Sequence, residues 1–298
     1  MKRIFLFILT NLAVMLVLSF VFTLLCGFLG IDTAELGRRY GINYASLAVF
    51  ALVFGMGGSI ISLLMSKSAA KMSVRAKTIT GQEGPAEAWL VRTVADLAQR
   101  AGVKTPEVAI YPGAANAFAT GAFKNSALVA VSTDIMDQMT KEELRAVLGH
   151  EMSHVVNGDM VTMSLLQGVL NAVVLFLAQI VGAIVDGALS GKNRRGGRGI
   201  GYVLSRYACQ IVLGVAASVI VMGFSRHREY AADAGSANLI GSPQPMIAAL
   251  RRLSNLKPGV LPDSLKAFGI GGSMKSLLAS HPPLSDRIRA LESWQPRL

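Results

Sequence analysis

The chain has 298 residues, of which 52% are hydrophobic and only 16% charged. About a quarter of an ordinary soluble domain is charged, so this composition excludes one and points to a membrane protein with an attached soluble part. The net charge is +11 and aromatics are 7%; lysines and arginines flank apolar runs, which argues against nucleic acid and makes them topology signals and contacts for anionic lipid headgroups.

Ile4 to Ile31 carries no charge. It is too long for the apolar core of a signal peptide and reads as a first transmembrane helix. Tyr40 to Ser66 is also uncharged and reads as a second. Lys2 and Arg3 precede the first span, and Lys67, Lys71, Arg75 and Lys77 follow the second. The positive-inside rule then places the N-terminus and the segment after residue 66 in the cytoplasm. Cys26 and Cys209 lie inside apolar runs, which speaks against a disulfide framework or a cysteine zinc cluster.

From 67 to about 155 the chain reads as soluble. Leu90, Val94, Leu97 and Ala101 share one helical face. "EVAIY" (107–111) and "SALVAVS" (126–132) read as strands, and "PGAANAFATGAFKN" between them as loop or strand edge. Thr140 and Glu143 form a capping box, with Met139 and Leu144 placed as a hydrophobic staple. A helix therefore begins at about 141, and Gly158 is its expected stop.

Met160 to Val185 and Tyr207 to Ser225 are again uncharged and read as a transmembrane hairpin. The segment between them, "DGALSGKNRRGGRGIGYVLSR", reads as a mobile glycine-rich loop. Its basic residues would lie outside the cell, against the positive-inside rule. From Arg226 onward the chain is polar and helical. The expected divisions are 1–66, 67–159, 160–225 and 226–298.

"HEMSH" (150–154) lies on the capped helix. Residues four apart on a helix project from one face, so His150 and His154 can offer two imidazole nitrogens to one cation. Glu151 lies one residue round, within reach of a water on that cation without being a ligand. A catalytic zinc site needs a third protein ligand and an open fourth position. "SRHREYAADAGSA" (225–237) offers it. Glu229 is the favoured ligand, with Asp233 one turn on to orient a histidine N–H. His227 is the alternative third ligand.

These residues resemble the HtpX-type bacterial membrane zinc metalloproteases, relatives of the CAAX prenyl endopeptidases. The resemblance rests on two N-terminal spans, "NAFATG" (116–121), "LRAVLGHEMSHVVNGD" (144–159), two later apolar runs, "FSRHREYAADAGSA" (224–237) and "SHPPLSDRI" (280–288). It implies one zinc held by His150, His154 and Glu229, with Glu151 as general base. It further implies quality control of damaged or misfolded membrane proteins, with the site facing the cytoplasm.

The expected fold is mainly α: a four-helix transmembrane part with a cytosolic α+β gluzincin-like domain carrying a small sheet. His281, Arg287 and Tyr230 are candidates for a second oxyanion donor beside the metal. Peptide substrates are expected to add as a strand to a sheet edge, where Asn116 and Ala119 would contact them. The histidines precede the third apolar run and Glu229 follows the fourth, so the chain between them crosses the membrane an even number of times. The ligand helices run almost directly into the spans, which puts the metal near the bilayer surface.

Two rivals are weaker. A protease cutting within the bilayer would bury the histidines in an apolar span, but Lys141, Glu142, Glu143 and Arg145 stand just before them. A metal sensor or transporter without peptidase activity would line its spans with polar groups; Asn11, Asn43, Asn171, Gln179 and Gln210 are sparse.

Overall fold

The computed structural model describes residues 43–190, 199–255 and 281–296. The first expected span (4–31), the centre of the basic loop (191–198) and the segment around Pro258 and Pro262 lie outside the described residues. In chain order the helices are α1 (Tyr44–Val74), α2 (Pro85–Arg100), α3 (Thr133–Gln138), α4 (Lys141–Asn157), α5 (Asp159–Ser190), α6 (Ile200–Ile240), α7 (Gln244–Asn255) and α8 (Leu284–Glu292). The strands are β1 (Lys77–Ile79), β2 (Glu107–Tyr111), β3 (Ala117–Thr120) and β4 (Leu128–Ser132). The chain divides into two compact units, one of 1–61 with 164–220 and one of 62–163 with 221–298.

Three helices among the described residues are long and apolar enough to cross a membrane, over Ser46–Val74, Asp159–Leu189 and Ile200–Ile240. Phe54, Ile61, Ile211 and Val212 are each more than half exposed on them. Water would penalise such surfaces and lipid would not. Lipid also gives helices no hydrophobic reason to associate, so close contact depends on small residues. In the first unit, a Cβ on Gly55 would stand 2.4 Å from the backbone of Ala172. Ala51, Phe176 and Ile180 pack together beside that approach.

The glycine-rich loop is shorter than expected. Helix α5 continues to Ser190 and α6 already begins at Ile200. The Asp186 carboxylate accepts the backbone N–H groups of Gly199 and Tyr202, each at 3.2 Å. It thereby satisfies donors that a helix start leaves open. At its far end α6 runs past Ser225 to Ile240, so an apolar run and the acidic pair share one helix of 41 residues.

The second unit is built on a four-stranded sheet of order β1-β2-β4-β3. β2 and β4 are parallel, and the outer strands pair antiparallel. "EVAIY" is a strand over its full length, whereas the second expected strand starts at Leu128, after a 3-10 turn at Lys124–Ser126. The ambiguous segment between them supplies the edge strand β3.

One face of the sheet packs on α2 and α4, where Leu90, Val94, Leu97, Val147, Leu148 and Met152 join Val108, Val129 and Val131. Ala101 of the expected α2 face is the cap residue beyond the helix end. The other face, with Tyr111, Phe118 and Leu128, meets Ala70 and Val74 from the end of α1. Helix α4 is covered on a second side by Ala237, Met246, Ile247, Leu250 and Leu291.

Both ends of α4 are fixed locally. The Thr140 side chain accepts from Glu143 N–H, and the Glu143 carboxylate accepts from Thr140 N–H. Met139 and Leu144 are both buried in the same core. Gly158 closes the helix in the left-handed region, at φ 67° and ψ 37°, where a side chain would be strained.

Helices α4 and α6 approach closely through small residues. A Cβ on Gly149 would lie 2.8 Å from Ser236 Oγ, and one on Gly235 would lie 2.4 Å from Ser153 Oγ. Both serines turn their hydroxyls onto α4 carbonyls, Ser236 to Ala146 and Ser153 to Gly149. We expect Gly235→Val to force the helices apart and cost about 1–3 kcal/mol, as overpacking does. Gly235→Ala combined with Ser153→Gly, which moves a methyl-sized volume across the contact, should lose much less. Thermal unfolding of the detergent-purified chain compares them.

Candidate metal centre

Helix α4 presents His150 and His154 one turn apart, their rings edge to face with centroids 4.7 Å apart. The two Nε2 atoms face each other at 3.1 Å. Helix α6 sets Glu229 against both, with Oε2 3.6 Å from His150 Nε2 and Oε1 3.4 Å from His154 Nε2. All three residues are buried.

The far nitrogens decide the tautomers. His150 Nδ1 lies 2.9 Å from Asp233 Oδ1, and His154 Nδ1 lies 2.6 Å from Asp159 Oδ2. An ionised carboxylate can only accept, so each Nδ1 carries a proton and each Nε2 is the nitrogen turned toward the centre as a ligand. With both Nε2 atoms unprotonated, two lone pairs and a carboxylate pointing at one another repel. A cation between them turns the repulsion into coordination. Ligands of a tetrahedral zinc, at bonds of about 2.0–2.2 Å, stand about 3.3–3.5 Å apart, close to the three separations here. The donor set fits such an ion.

The wider charge pattern agrees. Glu151, Asp159, Glu229 and Asp233 surround the cluster, opposed by the buried cations Arg228 and Arg287. With the acids ionised and the histidines neutral, two negative charges are left over. A divalent cation cancels them. Buried charges cost several kcal/mol each unless they are paired, so a divalent cation suits this arrangement.

Glu151 is 1% exposed and is absent from the ligand triangle. Burial pushes its carboxyl up to about 7, with the Ala119 backbone N–H working in the opposite direction. Ala119 therefore reaches the site through its main chain, and Asn116 is buried at the start of the same strand. Arg287 is fully buried. Its Nε and Nη2 donate to Asp233 at 2.8 and 2.6 Å, and Nη1 lies 3.1 Å from Glu229 Oε2. These acids hold its charge far above any physiological titration, against the opposing effect of burial. His281 Nδ1 lies 2.8 Å from the same Glu229 oxygen. His227 is exposed and stands outside the ligand group, and Tyr230 is only partly buried.

Sequence reasoning missed Asp159 and Arg228. Arg228 Nη2 lies 2.6 Å from Asp159 Oδ2, and its Nη1 donates to the Asp159 carbonyl at 2.8 Å. A signal was present: an acid directly after the helix-stopping Gly158, and an arginine beside Glu229.

A helix carrying two histidines and a buried free glutamate, closed by a carboxylate from a later helix, defines a metallopeptidase. Comparison with known proteins places it further. The model of peptidase family M48 matches residues 85–295. A protein described as "Protease HtpX homolog" from Herminiimonas arsenicoxydans is 54% identical over 99% of this chain and 100% of its own. One from Bordetella pertussis is 55% identical over 98% of each. The chain belongs to peptidase family M48. Its fold also resembles the crystal structure of S. mikatae Ste24p, with a TM-score of 0.59 and 18% identity over 96% of this chain. This chain spans 66% of that larger protein.

The third ligand can be separated from its neighbour by substitution. Glu229→Ala should lose bound metal and proteolysis together, whereas His227→Ala should keep both within about twofold. Metal analysis and casein cleavage on the detergent-purified variants check this.

Proposed function

We propose that the chain is a zinc-dependent endopeptidase of the bacterial inner membrane that cleaves misfolded or damaged membrane proteins at the cytoplasmic face. The observation that carries this is the His150, His154 and Glu229 triangle with unliganded Glu151 beside it, set against an edge strand. One zinc per chain would be held by those three side chains. When bound, it supplies a Lewis acid that polarises the scissile carbonyl and makes water a better acid.

The chain's own residues do the rest. Glu151 accepts a proton from the attacking water and returns it to the leaving amine. Burial raises the affinity of the Glu151 carboxylate for a proton, which suits a group that must accept one from water. Asp233 fixes the His150 ring, and Arg287 holds Asp233 and Glu229 in place. His281, 2.8 Å from Glu229, is positioned to donate to the developing oxyanion. Arg287 supplies positive charge to the same region.

Among the described residues, β3 pairs only with β4. We propose that an extended substrate adds along its other edge, with Ala119 and Asn116 among its contacts. The Ala119 N–H faces Glu151, so the edge proposed for the substrate runs beside the proton carrier.

The proposed layout has two N-terminal transmembrane helices (1–66), a cytosolic gluzincin-like catalytic part (67–159), a transmembrane hairpin (160–225) and a cytosolic helical part (226–298). Basic residues flanking the first two apolar runs support a cytoplasmic N-terminus and site. Peptides and membrane proteins are the proposed substrates, and the lipid bilayer the surroundings. A role in stress response fits the relatives described as HtpX homologs.

Glu151→Gln should lower kcat for casein by about 10²–10⁴ while leaving zinc content at one per chain. Ala119→Pro removes the N–H and should raise KM strongly. Unchanged kinetics in Ala119→Pro would reject the edge-strand mode, and full activity in Glu151→Gln would reject the proton carrier.

A further inference from the structure

We infer that Asp159 and Arg228 form a positioning pair for His154, and that the metal site is braced on this side as firmly as Asp233 and Arg287 brace it on the other. The inference rests on the metal reading above. His154 Nδ1 lies 2.6 Å from Asp159 Oδ2, and Arg228 Nη2 lies 2.6 Å from that same oxygen. Arg228 Nη1 donates to the Asp159 backbone carbonyl at 2.8 Å. One guanidinium thus grips both the side chain and the main chain of Asp159. Asp159 and Arg228 are 5% and 9% exposed.

The geometry follows from the chain path. Gly158 ends α4 in the left-handed region, and Asp159 is the first residue of α5. The turn carries the Asp159 carboxylate back to Nδ1 at the edge of the His154 ring. Arg228 precedes Glu229 on α6, so the residue that anchors Asp159 is covalently next to a metal ligand. The Arg228 guanidinium also lies 5.9 Å from the centroid of the Phe224 ring, one turn earlier on the same helix.

The two sides correspond part for part. His150, Asp233 and Arg287 repeat the order imidazole, carboxylate, guanidinium found in His154, Asp159 and Arg228. An anionic acceptor at Nδ1 fixes the ring and makes Nε2 a stronger donor to a cation. The guanidinium keeps the carboxylate from swinging toward the cation as a competing ligand. Lysine cannot reproduce the fork that reaches two oxygens at once.

The pair acts through His154 and touches no substrate, so its loss should weaken metal binding and leave substrate binding alone. The test is zinc competition against a chelator of known affinity, on the detergent-purified full chain and its variants Asp159→Asn, Arg228→Met, Arg228→Lys and Glu229→Ala. Asp159→Asn and Arg228→Met should bind zinc about 10–100-fold more weakly than the wild type, with Arg228→Lys between. In Asp159→Asn, which keeps the shape and an acceptor for Arg228, the zinc-free melting temperature should stay close to wild type. So should the KM of every Asp159 and Arg228 variant at saturating zinc. Arg228→Met leaves the buried Asp159 charge unpaired and should melt lower. Arg228→Lys carries the comparison if Arg228→Met does not fold. Zinc affinity within twofold of wild type in Asp159→Asn and the Arg228 variants would overturn the inference. So would a loss of affinity in Asp159→Asn matched by a fall in its zinc-free melting temperature, which assigns the pair to fold maintenance. If the wild type binds no zinc, or Glu229→Ala binds it as the wild type does, the metal reading itself falls and takes this role with it.

Discussion

Two imidazole Nε2 atoms face each other across 3.1 Å, with a carboxylate closing the triangle. With both nitrogens unprotonated and buried away from water, that arrangement repels itself unless a cation occupies the centre. The surrounding design answers this constraint. Each histidine is held by an acid, each acid by an arginine, and the charges left over match a dication. Truncating either arginine would strand its acid in a low-dielectric interior, where an unpaired charge costs several kcal/mol.

The fold makes the triangle possible by bringing two helices unusually close. The histidines lie on α4 and the acid on α6, some 75 residues later in the chain. Their crossing is set by Gly149 against Ser236 and Gly235 against Ser153, where no larger side chain fits. The capping box at Thr140 and the left-handed Gly158 fix where α4 begins and ends. Those two ends determine which face His150 and His154 present. The sheet adds the last element: its edge strand offers the Ala119 N–H to Glu151 from outside the helix pair.

What the sequence showed followed from how local each signal was. Thr140, Glu143 and Gly158 act within one helix, so cap and stop could be read from the letters alone. "EVAIY" was readable because apolar residues run between turn residues. β3 was ambiguous because "NAFATG" is poor in β-branched residues, and a strand there is stabilised by pairing with β4 instead of by its own preference. The loop over 186–206 was drawn too long because glycine and arginine suggested mobility, while a carboxylate thirteen residues from Gly199 caps the next helix. Glu229 and Asp233, singled out for their spacing of four on one helix, lie against the two histidines. Asp159 and Arg228 were missed because their meeting depends on how α4, α5 and α6 pack, which no single segment encodes.

The central claim is the identity of the ion and its ligands. X-ray absorption at the zinc edge of the detergent-purified full chain addresses it directly. The account predicts a low-coordinate zinc with two imidazole nitrogens and oxygen ligands at about 2.0–2.2 Å, without sulfur. A shell containing sulfur at about 2.3 Å, or an oxygen-only shell without imidazole scattering, would contradict it.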